Sequence, residues 1–256
     1  MSPPDDPWRK LAALTPARIG IGRAGSGLGT RQTLGFALAH AQARDAVHAE
    51  LDIPALAAEL AGLGISSLPV ASRAAGRASY LLRPDLGRSL AAEARATIAA
   101  TGTGGYDIAL VIADGLSARA VQAHAPRFLA AFQPLAERRS WALSTAIIVS
   151  QGRVAIGDEI GVLLGARLTL LLVGERPGLS CPDSLGLYVT YAPRPDRNDG
   201  ERNCVSNVHG AGLSPAEAAA RAAWLVEAAL SRGLSGVALK DESAAGTSSR
   251  LGADAS

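Results

Sequence analysis

Apolar positions run through this chain in two registers, helical in the first hundred residues and strand-like after them. "TRQTLGFALAHAQARDAVH" puts Leu34, Leu38 and Ala41 on one helical stripe, with Thr30 as a cap and an end near Val47. A second, shorter helix follows Pro54 and stops at Gly62 and Gly64; residues 65–71 read as a short strand and 72–83 as irregular chain. Pro84, with Asp85 beside it, opens a further helix to about Ala100. Ahead of these lie an arm over residues 1–15 and a glycine-rich loop, Gly20–Gly29.

From residue 101 the pattern changes. "YDIALVIADG" (106–115), "TAIIVSQG" (145–152), "RLTLLLVGE" (167–175) and "LGLYVTYAP" (185–193) are apolar strands, the first three nearly continuous runs. Between them "LSARAVQAHAPRFLAAFQPLA" predicts a helix bent or interrupted at Pro126, and "AIGDEIGVLLG" a shorter one. The last helix, 214–231, carries Ser214, Pro215 and Glu217, the signature of a capping box. Strands without polar alternation, separated by helices, are covered on both faces. The expected class is therefore α/β: a helical N-terminal region over 16–100, then an open, mostly parallel, Rossmann-like sheet over 101–233 with helices on both faces. An Ala/Ser/Gly-rich tail over 234–256 is expected to be disordered.

Composition narrows the function by exclusion. The 256 residues are 48% apolar and 19% charged, with a net charge of +2 and no basic run, so a nucleic-acid or membrane-surface partner is not indicated. Aromatics at 4% argue against a stacking platform for single strands. The amino terminus lacks the charged and apolar regions of a signal peptide, and no apolar run approaches a membrane span; the expected compartment is the cytosol. Two separate cysteines make no disulfide framework, and four scattered histidines show no metal-ligand spacing.

"GIGRAG" (20–25) matches G-x-G-x-x-G, but no strand precedes it, so a nucleotide-binding enzyme using that loop is the weaker reading. The carboxyl ends of the strands carry more chemistry: Asp114 and Ser117 after the first, "SQGRVAIGDE" after the second, "VGERPG" after the third. In open α/β sheets such ends line one ligand crevice. Ser117 also reads as a helix cap and Asp114 as a turn former. Cys204, with no base near it in sequence, reads as a small buried or ligand-contacting residue.

"RIGIGRAGSGLGTRQTLGFALAHAQARDAVHAELD" (18–52), "SRAAGRASYLLRPDLGRSL" (72–90), "IALVIADGLSARAV" (108–121), "IVSQGRVAIGDEIG" (148–161), "VGERPGLSCPDSLGLYVTYAPRP" (173–195) and "ERNCVSNVH" (201–209) together resemble the ethanolamine ammonia-lyase small subunits, or light chains. The resemblance implies a subunit of an adenosylcobalamin enzyme that converts ethanolamine to acetaldehyde and ammonia by radical chemistry. It implies that segment 101–233 binds the coenzyme at the interface with a large catalytic subunit, in a hetero-dodecamer of six copies of each. It carries over three coenzyme-binding residues, Val154, Glu175 and Cys204, and no catalytic or metal-ligating residue. Arg153 is a further candidate donor to a carboxamide of the corrin, and Gly152, Gly157 and Gly174 are expected to let backbone approach the ring. The chain alone is expected to be inactive, and its compartment is cytoplasm, free or within a bacterial microcompartment. The remaining alternative is a purely structural interaction subunit.

Overall fold

A computed structural model of the chain describes residues 7–15, 17–102 and 104–243. Met1–Asp6 of the expected arm, and the expected tail from Ala244 on, lie outside them. The amino-terminal region holds a short helix α1 (Pro7–Ala12), a minimal hairpin β1 (Arg23–Ala24) and β2 (Gly27–Leu28), and then helices α2 (Thr30–His48) and α3 (Ile53–Gly62). After strand β3 (Ser67–Ala71) come helices α4 (Arg77–Leu82) and α5 (Ala92–Ala99). The remainder alternates: β4 (Ile108–Ala113), α6 (Ala118–Glu137), β5 (Ala146–Ser150), α7 (Ile156–Leu164), β6 (Leu168–Gly174), β7 (Leu185–Tyr191), β8 (Asn203–Val208) and α8 (Pro215–Arg232).

Six strands form one sheet in the order β3-β5-β4-β6-β7-β8. The first three pairings are parallel and the last two antiparallel, so the α/β, mostly parallel fold is as expected. Every residue of β4 and β6 is buried. Ile108, Leu110 and Ile112 enter the core under α3, α6 and α8, while Ala109, Val111 and Ala113 enter the opposite core under α5 and α7. The two-residue period of a strand thus feeds two apolar layers, which accounts for the absence of polar alternation.

Four local expectations change. Helix α6 runs unbroken through Pro126 and Pro134; a lost backbone bond is tolerable where Phe128, Phe132 and Leu129 are fully buried beside it. The helix expected from Pro84 begins only at Ala92, after a 3-10 turn over Leu86–Arg88, and part of the supposed irregular chain is α4. Strand β8 lies in a polar-looking stretch; only Val205 and Val208, three residues apart across a slip in the β7–β8 register, reach the core from it. Residues expected in the tail pack instead as far as Leu239, which is buried, with Gly236 pressed against the Gly200 carbonyl.

Candidate coenzyme cleft

Parallel pairing puts the ends of β4, β5 and β6 on one edge of the sheet, and a single buried carboxylate ties the first two together. Asp114, 3% exposed, accepts the Gln151 N–H at 2.9 Å and the Gly152 N–H at 3.1 Å, with the Arg77 guanidinium 3.9 Å away. Burial raises its pKa, against the lowering effect of the Gln151 N–H and Arg77. These bonds hold Gln151 at a φ of 56°, a conformation unusual for a residue with a side chain. Asp114 is therefore a positioning group, and Ser117 is the N-cap of α6, accepting from the Ala120 N–H and donating to the Pro182 carbonyl.

Tyr80, on α4, fills the space behind this loop. It is 1% exposed, its hydroxyl donates to the Gly152 carbonyl at 3.1 Å, and its ring lies between the guanidinium groups of Arg77 and Arg153, 4.9 and 4.5 Å from the ring centre. Burial pushes its pKa up to about 12, so it stays neutral, a packing and hydrogen-bonding group.

Two contiguous clefts open along this edge, of about 480 and 530 Å³. The first is lined by Val154, Glu175, Tyr188, Arg88 and Arg153 among others; the second by His40, Val47 and the loop Pro177–Leu179; Leu116, Arg153 and Arg176 border both. Val154 and Glu175 thus share one cleft. Cys204 is not on its wall but stands directly across the strand pair from Tyr188, which is.

The Glu175 side chain is fixed by what surrounds it. Its Oε2 accepts from the Ser184 hydroxyl and from the Asn207 N–H at 3.3 Å. Asn207 sits at φ 61° where the β7–β8 register slips, so its N–H turns from the ladder to the carboxylate. A Cβ on Gly186 would come within 3.0 Å of Oε1; that glycine makes room for the carboxylate on the Tyr188 face of the sheet. Cys204 is exposed as a residue, yet desolvation of its thiol raises its pKa, the Tyr188 hydroxyl opposes this, and the Glu175 charge raises it further. A thiol so held stays protonated and is a poor nucleophile.

Three glycines do something other than expected. A Cβ on Gly152 would meet Ala113 at 2.9 Å, on Gly157 Leu171 at 3.1 Å, and on Gly174 the Ser117 carbonyl at 2.1 Å. Each lets the chain approach itself closely, and Gly174 also lines the first cleft. The exposed "GIGRAG" stretch leads into the minimal β1–β2 hairpin, and among the described residues no strand precedes it, so it lacks the context of a dinucleotide site. His124 is buried and both its ring nitrogens lack a hydrogen bond; burial lowers its pKa despite Asp183 at 3.7 Å. Among the described residues no group of three or more His, Cys, Asp or Glu side chains is placed to hold a metal ion.

Comparison with known families supplies what geometry alone does not. The family described as "Ethanolamine ammonia-lyase light chain (EutC)" matches residues 5–240. The chain belongs to this family. It is 54% identical over 245 residues to an ethanolamine ammonia-lyase small subunit from Xanthomonas campestris, covering 94% of this chain and 90% of that protein. It is similar to the ethanolamine ammonia-lyase small subunit of Pseudomonas syringae, at 54% over 242 residues (93% and 84%). A small subunit from Bradyrhizobium diazoefficiens is 51% identical over 250 residues (97% and 96%). Membership in a light-chain family implies a lyase complex with a large subunit.

Sequence reasoning missed several residues that build this cleft. Tyr188 falls in an apolar strand, Arg88 in the helix expected from Pro84, and Tyr80 and Arg77 in the stretch expected to be irregular. Each lies within a motif of the ammonia-lyase light chains quoted above, which is the signal that could have found them.

Proposed function

We propose that this ammonia-lyase light chain caps adenosylcobalamin at its interface with a large, substrate-holding subunit, and that Val154, Glu175 and Cys204 are its coenzyme contacts. The observation that carries the reading is the shared cleft: a half-buried valine and a carboxylate held from behind, both beyond strand ends, with Tyr188 of β7 on the wall and Cys204 its cross-strand neighbour. A corrin is a broad apolar disc edged with carboxamide arms. Its apolar edge suits Val154 and the Tyr188–Cys204 pair; its amide N–H groups suit Glu175, whose Oε1 is hydrogen-bonded to no described residue. The buried Arg153 Nε has no hydrogen-bond partner and borders the cleft, a donor in want of an acceptor such as a carboxamide oxygen. The residues present therefore fit the group. When bound, adenosylcobalamin supplies the radical chemistry by which ethanolamine yields acetaldehyde and ammonia. This chain's part is to seat and orient the coenzyme and to exclude water from it; catalysis resides in the partner, and the chain alone is inactive. We further propose the six-plus-six assembly, a cytoplasmic or microcompartment location, and 101–233 as the coenzyme-binding segment. Among the described residues no helix is long and apolar enough to cross a membrane.

Glu175→Ala is expected to weaken coenzyme binding by the assembled complex roughly tenfold, the loss of one charge-assisted hydrogen bond. Equilibrium titration followed by corrin absorbance measures it; an unchanged affinity removes Glu175 from the site.

The partner's footprint has support in α2. That helix buries only Ala39 and Ala46, while Leu34, Phe36 and Leu38 stand 64, 47 and 60% exposed. Phe36 shares the face of α2 that carries His40 and Val47 and borders the cleft, its ring stacked on His40, whereas Leu34 and Leu38 stand on the opposite side of the helix; a subunit closing over the coenzyme therefore continues onto Phe36. Phe36→Ser, at a position 47% exposed, is expected to lower recovery of the large subunit in co-purification severalfold without altering the fold. Full recovery would move the interface elsewhere.

A further inference from the structure

Arg88 and Arg153 come from loops far apart in sequence, yet the Arg153 N–H donates to the Gly87 carbonyl at 2.8 Å. Gly87 is itself pressed against the chain: a Cβ there would lie 3.0 Å from the Gln151 carbonyl. The two arginines are thereby set on adjoining pieces of backbone, and both line the first cleft. Arg88 is exposed and, among the described residues, makes no side-chain hydrogen bond or ion pair. The Arg153 Nε is buried without a partner.

None of the acids around the cleft forms an ion pair with Arg88 or Arg153: Glu175, on the same wall, is held through its Oε2 by Ser184 and Asn207. Asp158 is taken by Arg202 and Glu159 by Arg95, and Asp199 faces the Arg202 Nε at 3.7 Å. Helix α7 starts between the two arginines and the next hollow, at Ala155, with no capping side chain. Arg153 donates through one terminal nitrogen to the Tyr80 carbonyl at 3.2 Å and neither arginine has an ion-pair partner among the described residues, so the two guanidinium groups on one cleft wall make a receptor for an oxyanion with several acceptor oxygens.

We infer that Arg88 and Arg153 bind the phosphate diester of the coenzyme's nucleotide arm, while Val154 and Glu175 bind its corrin edge. The inference rests on the coenzyme reading above and names which part of that ligand lies at the start of α7.

The test uses the assembled complex and two corrins, adenosylcobinamide methyl phosphate and adenosylcobinamide, which differ by the phosphate ester. Affinities are read by absorbance titration, with no turnover needed. The wild-type complex is expected to prefer the phosphate-bearing corrin roughly tenfold, the size of one charge-assisted contact. Arg88→Gln, at an exposed position that leaves the fold intact, is expected to reduce that preference to about twofold, and Arg88→Lys to keep most of it. A preference unchanged in Arg88→Gln, or absent in the wild type while adenosylcobalamin still binds, overturns the inference and leaves the coenzyme reading standing. Failure of adenosylcobalamin itself to bind overturns both.

Discussion

Arg202→Ala is expected to destabilise the chain by about 3–5 kcal/mol, the usual penalty for stranding a buried charge. The Arg202 guanidinium meets both Asp158 oxygens at 2.6 Å, also donates to Thr190 and to the Arg197 carbonyl, and the two charged side chains are 2 and 5% exposed. Burial raises the Asp158 pKa, and Arg202 is the main influence opposing it. Without Arg202 the carboxyl rises further, so the folded variant binds a proton that the unfolded chain releases. Its deficit should therefore grow as pH rises above the unfolded carboxyl range and shrink toward acid, where Asp158 is neutral in both states. Denaturant unfolding at two pH values measures this, and Arg202→Met combined with Asp158→Leu should recover most of the loss. A cost below about 1 kcal/mol would show that the pair is not the clamp described. It matters to the cleft because Asp158 lies on α7, just beyond Val154, and Arg202 leads into β8, which carries Cys204.

Gly174→Ala is the second large effect. Its Cβ would lie 2.1 Å from the Ser117 carbonyl and 2.6 Å from that of Asp114, both backbone atoms. The opposing residue is also glycine: Gly115, at a φ of 58°, would meet the Gly174 carbonyl at 2.2 Å if it carried a Cβ. Between them the Leu116 N–H donates to the Gly174 carbonyl at 2.9 Å. An added methyl must push the end of β6 from the β4–α6 loop, at a cost of about 3 kcal/mol. Since Glu175 follows directly, coenzyme affinity should fall at least tenfold although the methyl touches no ligand. Gly178→Ala is the control. Its nearest neighbour is the Cys181 carbonyl at 3.6 Å, so its stability should stay within about 0.5 kcal/mol of the parent. Equal unfolding midpoints for the two variants would refute the contact argument.

Both effects pass through residues whose importance a one-dimensional reading underrates. Arg202 sat in a polar loop with nothing to mark it as buried; only the pairing of β8 with β7 carries it across to α7. Gly174 is visible as a glycine after an apolar run, but the Asp114 and Ser117 carbonyls it packs against lie far earlier in the chain. Tyr188 was hidden because an aromatic in an apolar strand is ordinarily core. In the structure it lines the first cleft.

What was legible had local causes. Uninterrupted apolar runs determined buried strands, the Ser214–Glu217 box determined the start of α8, and the order of strands and helices determined an α/β sheet with loop chemistry at one edge. The motifs along the chain were enough to establish its family. Tertiary structure alone decided that the last two strands run antiparallel, that Val154 and Glu175 share a cleft while Cys204 stands behind Tyr188, and that Arg88 meets Arg153 there. Periodicity and capping are encoded within a few neighbouring residues. Which loops meet depends on sheet register and on backbone contacts between distant segments, and neither leaves a periodic trace in the sequence.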